Sequence, residues 1–475
     1  MEKTHRVAVI GGGVSGAVAA IELSNLGIKN VLFEKEKSLV NGPPFCHLHA
    51  GGNLYPDITD QQCQTLLRQS IEMARLFPES IDERPTLISV QKTEDYSVKK
   101  ITNRLDMLRE HYAFLVEQNP ANKVLGSPKD YYRIYNKEEL LSLQQRNTVK
   151  IPTQPDEWMI NAIKLIDIEK LKTPIILVQE YGWNFFRLAA QAQLALEKTD
   201  HCTLHLNTEV CEIKDFRNKN TNYNWEVHTK DQVFKVDYLV NSCGYKTGVL
   251  DETLQLKSER LIEFKASYVS QWKPLEGLIP ELIFHGKRGT ENGMAQLTPY
   301  CNDYYQIHGM TKDVTLFPDG LMDAKGSTSQ PKFNKEITRK LENGWEENEV
   351  NSRTKKSIDF IGKFVPSFKD AKVGGPPLFG AQQIAGKDPD LRVGEVKFPS
   401  RSYARSEIIK ASSAYTVASK IIDKLKEEKI ISFNKTHNRT NILEKISTSE
   451  IDRLSADFSA MRGYSRDLSK LLVKR

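Results

Sequence analysis

The chain has 475 residues, enough for two or three well-buried cores, and its 39% hydrophobic, 9% aromatic and 27% charged content excludes a disordered, collagenous or disulfide-scaffold protein. Its 67 basic and 61 acidic residues leave a mild formal charge of +6, which gives no reason to expect a nucleic-acid partner. Cys46, Cys63, Cys202, Cys211, Cys243 and Cys301 form no CxxC pair, so zinc and thioredoxin-like chemistry are not expected, and no metal site is. No stretch approaches the ~18 apolar residues of a membrane span, and MEKTHRVAVIGGG is not a signal peptide, so a cytoplasmic protein is expected.

The first elements read as strand, glycine turn, helix and strand in RVAVIGGGVSGAVAAIELSNLGIKNVLFEKE. Gly11, Gly13 and Gly16 have the GxGxxG spacing, in which the first permits a tight turn, the second admits a pyrophosphate and the third lets helix and sheet pack closely. Val14 and Ser15 open the helix, whose free N–H groups hold the anion. Glu34, with Lys35 beside it, stands about twenty residues on, where an acceptor for ribose hydroxyls belongs. This unit alone does not separate NAD from FAD.

Next comes the loop GPPFCHLHAGGNLY with His47 and His49, then an amphipathic helix whose start has the Thr59/Gln62 capping-box spacing. Residues 84–175 mix strands and helices without a nucleotide signature. A helix Phe185–Lys198, a run of short strands and the apolar strand Tyr238–Asn241 with a turn at Gly244 return to the nucleotide pattern. Residues 255–350 alternate like meandering antiparallel strands. Alternation in MAQLTPYCNDYYQIHGM places Gln296, Thr298 and Tyr300 on one face, and Gln306 and His308 on one face of the next strand. A lysine-rich helical stretch at 334–357, the segment VGGPPLFG and a long helix from about Tyr403 to Lys426 follow, and residues 427–475 are polar and basic.

In this order the chain resembles the FAD-dependent D-amino-acid oxidase superfamily, with glycine oxidase, sarcosine and dimethylglycine dehydrogenases and 2-hydroxy-acid dehydrogenases. GGGVSG with Glu34 resembles its FAD motif; NTEVCEI its T-x-V-x-x-I strand, putting Val210 beside adenine; VNSCG its V-N-A-A-G turn, putting Gly244 near the cofactor; GGPPLFG, with Gly380, its G-x-P-x-x-G segment. The resemblance implies an α/β and α+β protein: a discontinuous Rossmann-like FAD-binding domain of the glutathione-reductase-2 type (1–80, 176–254 and 358–428), an inserted antiparallel-sheet substrate domain (81–175 and 255–357), and a basic C-terminal extension (429–475).

It also implies an oxidoreductase that takes a hydride equivalent from a C–H bond next to an amine or hydroxyl of a small, carboxylate-bearing substrate, with oxygen, a quinone or a carrier as acceptor. A malate:quinone-type dehydrogenase docked on a membrane surface and a non-catalytic FAD protein are the alternatives. HAGGN, with His49, Ala50 and Gly51, is similar to the H-A-A-G segment whose histidine is linked to the flavin methyl. The leading reading is a flavin-contacting loop; a covalent link through His49 and a substrate or proton role for His47 or His49 stay open. Tyr300 and His308 are the other catalytic candidates. The helix start near Tyr403, flanked by Arg401 and Arg405, is the candidate for stabilising the reduced ring.

Overall fold

The computed structural model describes residues 6–43, 58–274, 276–324, 328–431 and 441–474, and the backbone of the strand Phe45–His47. VAVI at 7–10 is fully buried, as a continuous apolar run must be when both faces of a parallel sheet are covered. It lies inside a six-stranded sheet ordered Glu395–Ser400, Tyr403–Glu407, Tyr238–Asn241, Val7–Ile10, Asn30–Phe33, Cys202–His205. All neighbours run parallel except the outermost strand, which pairs antiparallel with Tyr403–Glu407. Helices Val14–Asn25, Phe185–Glu197 and Ala414–Glu427 cover one face, and the meander Val210–Asp215, Trp225–Thr229, Val233–Val236 packs on the other.

The second large sheet has ten strands centred on Arg260–Gln271, Tyr304–Gly309, Ala295–Tyr300, Glu281–His285, Thr86–Gln91 and Leu171–Val178. Its pairings are antiparallel apart from Glu281–His285 against Thr86–Gln91. Alternation divides its side chains. Leu87, Leu177, Ala266, Leu297 and Ile307 join the helices Pro155–Ile163 and Glu347–Ile361 in an outer core. Ile88, Val178, Val269, Tyr300 and Leu378 join the core of the first domain. The inner face of this roof therefore looks toward the six-stranded sheet.

Three elements differ from the sequence-based expectation. Tyr403–Glu407 is a strand, and the last helix starts only at Ala414. Its residues have good helix propensity, but parallel pairing with Tyr238–Asn241 buries all five, and tertiary burial outweighs propensity. The helical stretch at 334–357 is two helices, Lys335–Asn343 and Glu347–Ile361, broken at Gly344, whose φ of 84° a helix interior does not adopt. Leu378–Ala385, expected with the nucleotide domain, pairs along its length with roof strand Arg260–Gln271.

The C-terminal extension is built onto the body. Thr448–Met461, started by a Ser447/Glu450 capping box, lies along Phe185–Glu197, with Lys198 bonded to Glu450 at 2.6 Å. Farther on, the Leu472 and Val473 N–H groups donate to the buried Asp82 carboxylate at 3.2 and 2.9 Å. Among the described residues no helix is long and apolar enough to cross a membrane.

Candidate functional site

The glycine turn sits where the central strand of the six-stranded sheet ends. Gly11 has φ 99° and lies against the Ser242 carbonyl, where a Cβ would stand 2.5 Å from the oxygen. A Cβ on Gly16 would come within 1.9 Å of the Gly11 carbonyl oxygen, so only glycine lets the helix start this close to the turn. Gly13 is different: nothing lies within 4 Å of where its Cβ would be. It is the extended N-cap of Val14–Asn25 and supplies no side-chain cap to the first N–H groups. Ser15 points away from that space and hydrogen-bonds Ser406.

Glu34 closes the neighbouring strand. Its carboxylate accepts from the Gly12 N–H at 2.7 Å and the Glu36 N–H at 2.9 Å, which fixes it beside the turn. Burial raises its pKa above the ordinary carboxylate value, and the two N–H groups work against that rise. Lys35 is half exposed and pairs with Glu36 at 3.2 Å. The Thr208 N–H donates to the Glu34 carbonyl at 2.8 Å, two residues before Val210, which starts its strand. Gly244 has φ 57° with open space around its Cβ position. Gly11, Gly13, Gly16, Glu34, Val210 and Gly244 thus gather at the carboxyl ends of the strands, where a dinucleotide fits an open α/β sheet.

Two further expected cofactor residues stand in other elements than this cradle. Gly380 is on the roof, paired with Lys265, and a Cβ there would meet Pro43 at 2.8 Å, so it serves the close passage of the loop after Glu34. Arg405 does not flank a helix start. It is a buried strand residue bonded to Asp251 at 2.8 Å and Glu407 at 2.7 Å, and Arg401 is exposed. His49, Ala50 and Gly51 fall outside the described residues. The backbone of His47 is in the strand Phe45–His47, paired with Gly182–Asn184.

The roof brings the two expected faces together. Gln296 pairs with His308 and Thr298 with Gln306, so these side chains share the inner face with Tyr300. The Tyr300 hydroxyl donates to Gln306 Oε1 at 3.0 Å, and Gln306 Nε2 donates to Ser267 Oγ at 2.8 Å. Gln296 Nε2 donates to Glu281 at 2.5 Å, and Glu281 holds the fully buried Arg84 at 2.6 Å. Replacing Arg84 by methionine, which strands the buried Glu281, is expected to cost about 3–5 kcal/mol in chemical denaturation.

Lys265 and Glu263 were not singled out from the sequence, and Arg288 was noted only as lying just before this sheet. The alternation in FKASYV does carry the signal, since Lys265 and Ser267 fall opposite Ala266 and Tyr268. Burial pushes the Lys265 ammonium down to about 8, with Glu263 opposing the shift and Arg288 and Arg392 adding to it. Among the described residues no group of three or more His, Cys, Asp or Glu side chains is placed to hold a metal ion.

The whole-chain architecture recurs in solved structures. The L-proline dehydrogenase from P. horikoshii superposes with a TM-score of 0.56 at 15% identity, over 95% of this chain and 99% of that one. The glycine oxidase from Geobacillus kaustophilus gives 0.52 at 15%, over 92% and 99%. The dithionite-reduced L-α-glycerophosphate oxidase from Mycoplasma pneumoniae, with FAD bound, gives 0.53 at 15%, over 90% and 95%. No curated protein matches the chain. The family model for FAD-dependent oxidoreductases (DAO) matches residues 6–344, from the first strand through the glycine turn and most of the roof, so this protein belongs to that family and is a flavoprotein that binds FAD.

Proposed function

We propose that the protein oxidises a C–H bond next to an amine or hydroxyl of a small acid held between the glycine cradle and the inner face of the roof. The observation that carries this reading is the polar inner face: Gln296, Thr298, Tyr300, Gln306 and His308 stand together on a wall whose neighbours are a hydrophobic core. A wall with only a packing role would not place five polar side chains there. The names of the similar structures support the class, two being named for amino acids and one for a glycerophosphate. Bound FAD supplies the acceptor of the hydride equivalent.

The chain's own residues hold and orient the substrate. Gln306, fixed by Ser267, sets the direction of the Tyr300 hydroxyl, and a phenol so held can bind a polar substrate group without reorganising. His308, two residues beyond Gln306 on the same face, is the candidate to hold or move the proton of the amine or hydroxyl. His49 keeps the proposed flavin contact. The acceptor that reoxidises the protein is proposed to be oxygen, a quinone or a carrier.

Purified protein tests this directly. It is expected to show flavin bands near ~370 and ~450 nm and to bleach anaerobically with a member of a panel of amino acids and 2-hydroxy acids. A flavin that no member of either class bleaches would overturn the reading. Acid precipitation decides the His49 question, since yellow left in the pellet means a covalent link. Tyr300→Phe is expected to slow bleaching about tenfold while costing about 1 kcal/mol of stability for the neutral hydrogen bond to Gln306. An unchanged bleaching rate would leave Tyr300 a packing residue.

A further inference from the structure

The C-terminal extension ends in a strap, residues 468–474, that meets the buried hydrogen bonds of the roof. Asp82 closes the short strand Ile81–Asp82 and is buried. Its Oδ2 accepts from the Leu472 N–H at 3.2 Å and its Oδ1 from the Val473 N–H at 2.9 Å. The contact is reciprocal, because the Glu83 N–H donates to the Val473 carbonyl at 3.2 Å. The strap is also tied on either side of this point. The Leu468 carbonyl accepts from Asn184 Nδ2 at 2.9 Å, the Leu471 carbonyl accepts from the Cys301 thiol at 3.3 Å, and Lys474 pairs with Glu79 at 2.5 Å. Cys301 directly follows Tyr300, so the strap joins the strand of Asp82 to the end of the roof strand that carries the candidate hydroxyl.

Two residues after Asp82, the fully buried Arg84 stands between two carboxylates. Its Nη1 donates to Glu281 Oε2 at 2.6 Å, while its Nε lies 3.9 Å from Asp82 Oδ2, the oxygen that already takes the Leu472 N–H. Neither Nε nor Nη2 has a hydrogen-bond partner among the described residues. The guanidinium packs against Gly182, whose backbone pairs with both Asp82 and His47, and a Cβ there would come within 2.7 Å of Nη2. A buried carboxylate short of donors competes strongly for such a cation, and one that is already hydrogen-bonded competes weakly. The two strap N–H groups satisfy Asp82, and this leaves Arg84 to Glu281. Glu281 in turn anchors the wall: its Oε1 accepts from Gln296 Nε2 at 2.5 Å, and the same Nε2 reaches Thr298 Oγ1 at 3.1 Å.

We propose that Asp82 is a positioning residue for the oxidation: the strap satisfies its carboxylate, Arg84 is thereby committed to Glu281, and Glu281 fixes Gln296 and Thr298 on the substrate wall. The assignment of that wall to substrate rests on the flavoenzyme reading above. Without the strap N–H groups, Asp82 is a buried carboxylate in need of a donor, and the nearest cation with free N–H groups is Arg84. As the guanidinium turns to Asp82, Glu281 loses its bond to Nη1, and Gln296 and Thr298 lose the anchor that holds them in place. The strap thus acts at a distance, by deciding which of two carboxylates holds one buried arginine.

The experiment is a double-mutant cycle on the full-length holoprotein. Proline at position 472 deletes the N–H that shares Asp82 Oδ2 with Arg84 and alters no side chain of the network. Leu472→Pro is expected to lower kcat/KM for anaerobic flavin bleaching roughly tenfold in the parent, and to have little further effect once Asp82→Asn has removed the competing carboxylate. A strap with only a structural role gives the same loss in both backgrounds, and that result would overturn the proposal. Val473→Pro, which removes the other N–H, repeats the cycle if Leu472→Pro accumulates poorly. Crystal structures of the parent and the proline variant give a readout that needs no turnover. Arg84 is expected within hydrogen-bond reach of Asp82 in the variant, and an unchanged bond to Glu281 overturns the proposal. A parent that no acid bleaches, with Arg84 switched to Asp82 in the proline variant, keeps the control of the network by the strap and loses the proposed oxidation.

Discussion

Gly13→Val is expected to give a folded protein that loses part of its FAD on gel filtration, whereas Gly16→Ala is expected to damage the fold itself. The two positions are three residues apart in one motif, but the space around them differs. A Cβ on Gly13 touches nothing within 4 Å, so the larger side chain costs the apoprotein little. It does occupy the gap over the first helical N–H groups, and the helix start can then no longer approach a pyrophosphate. A clash of this size costs about 1–3 kcal/mol, or roughly ten- to a hundredfold in FAD affinity. At Gly16 the Cβ would stand 1.9 Å from a backbone oxygen that belongs to the motif, so strand and helix must separate. The measurements are the ratio of flavin to protein absorbance after gel filtration and the melting temperature of the apoprotein. Gly13→Val that retains a full complement of FAD would show that the cofactor does not use this turn.

The contrast indicates what a sequence carries and what it does not. The spacing of Gly11, Gly13 and Gly16 and the position of Glu34 are local, and each acts through backbone geometry within one unit, so they were readable directly. The inner face with Tyr300, Gln306 and His308 was readable for the same kind of reason, because period-two alternation fixes which side chains share a face. Arg405 was misplaced because its meaning is not local. A segment of alanine, arginine, serine and glutamate reads as a helix start, and only pairing with a strand some 160 residues earlier makes it a buried strand. Lys265 was overlooked for a related reason. Its pKa is lowered by burial, with Arg288 and Arg392 adding to the shift from other segments, and no window of sequence contains them all. The C-terminal extension reads as a polar basic tail, yet Arg462 donates to the Gly42 carbonyl and Tyr464 to the Pro377 carbonyl, so its placement depends on partners 87 and 420 residues away.

The largest loss of stability is expected from Asp251→Ala. Asp251 lies in the short helix Thr247–Thr253 with no exposed surface. Its Oδ2 accepts from Arg260 at 2.5 Å and from Arg405 at 2.8 Å, and its Oδ1 accepts from the Tyr403 hydroxyl at 2.8 Å. Arg260 belongs to the roof, while Tyr403 and Arg405 belong to the six-stranded sheet, so one carboxylate joins the two layers that enclose the site. Removing it leaves two buried guanidiniums facing Glu407 as the remaining carboxylate beside Arg405, and breaking a buried pair in this way costs about 3–5 kcal/mol. Against a total stability of about 5–15 kcal/mol, that is a large share. Asp251→Asn keeps the volume and one acceptor and is expected to lose less, which gives a measurable variant if the alanine form does not accumulate. Denaturant unfolding of the holoprotein, followed in parallel by tryptophan fluorescence and by flavin release, tests both parts. Coincident shifts of the two curves are expected, because the roof and the cofactor sheet share this anchor. A flavin curve that stays in place while the fluorescence curve moves would show that the layers unfold independently and that Asp251 stabilises only its own helix.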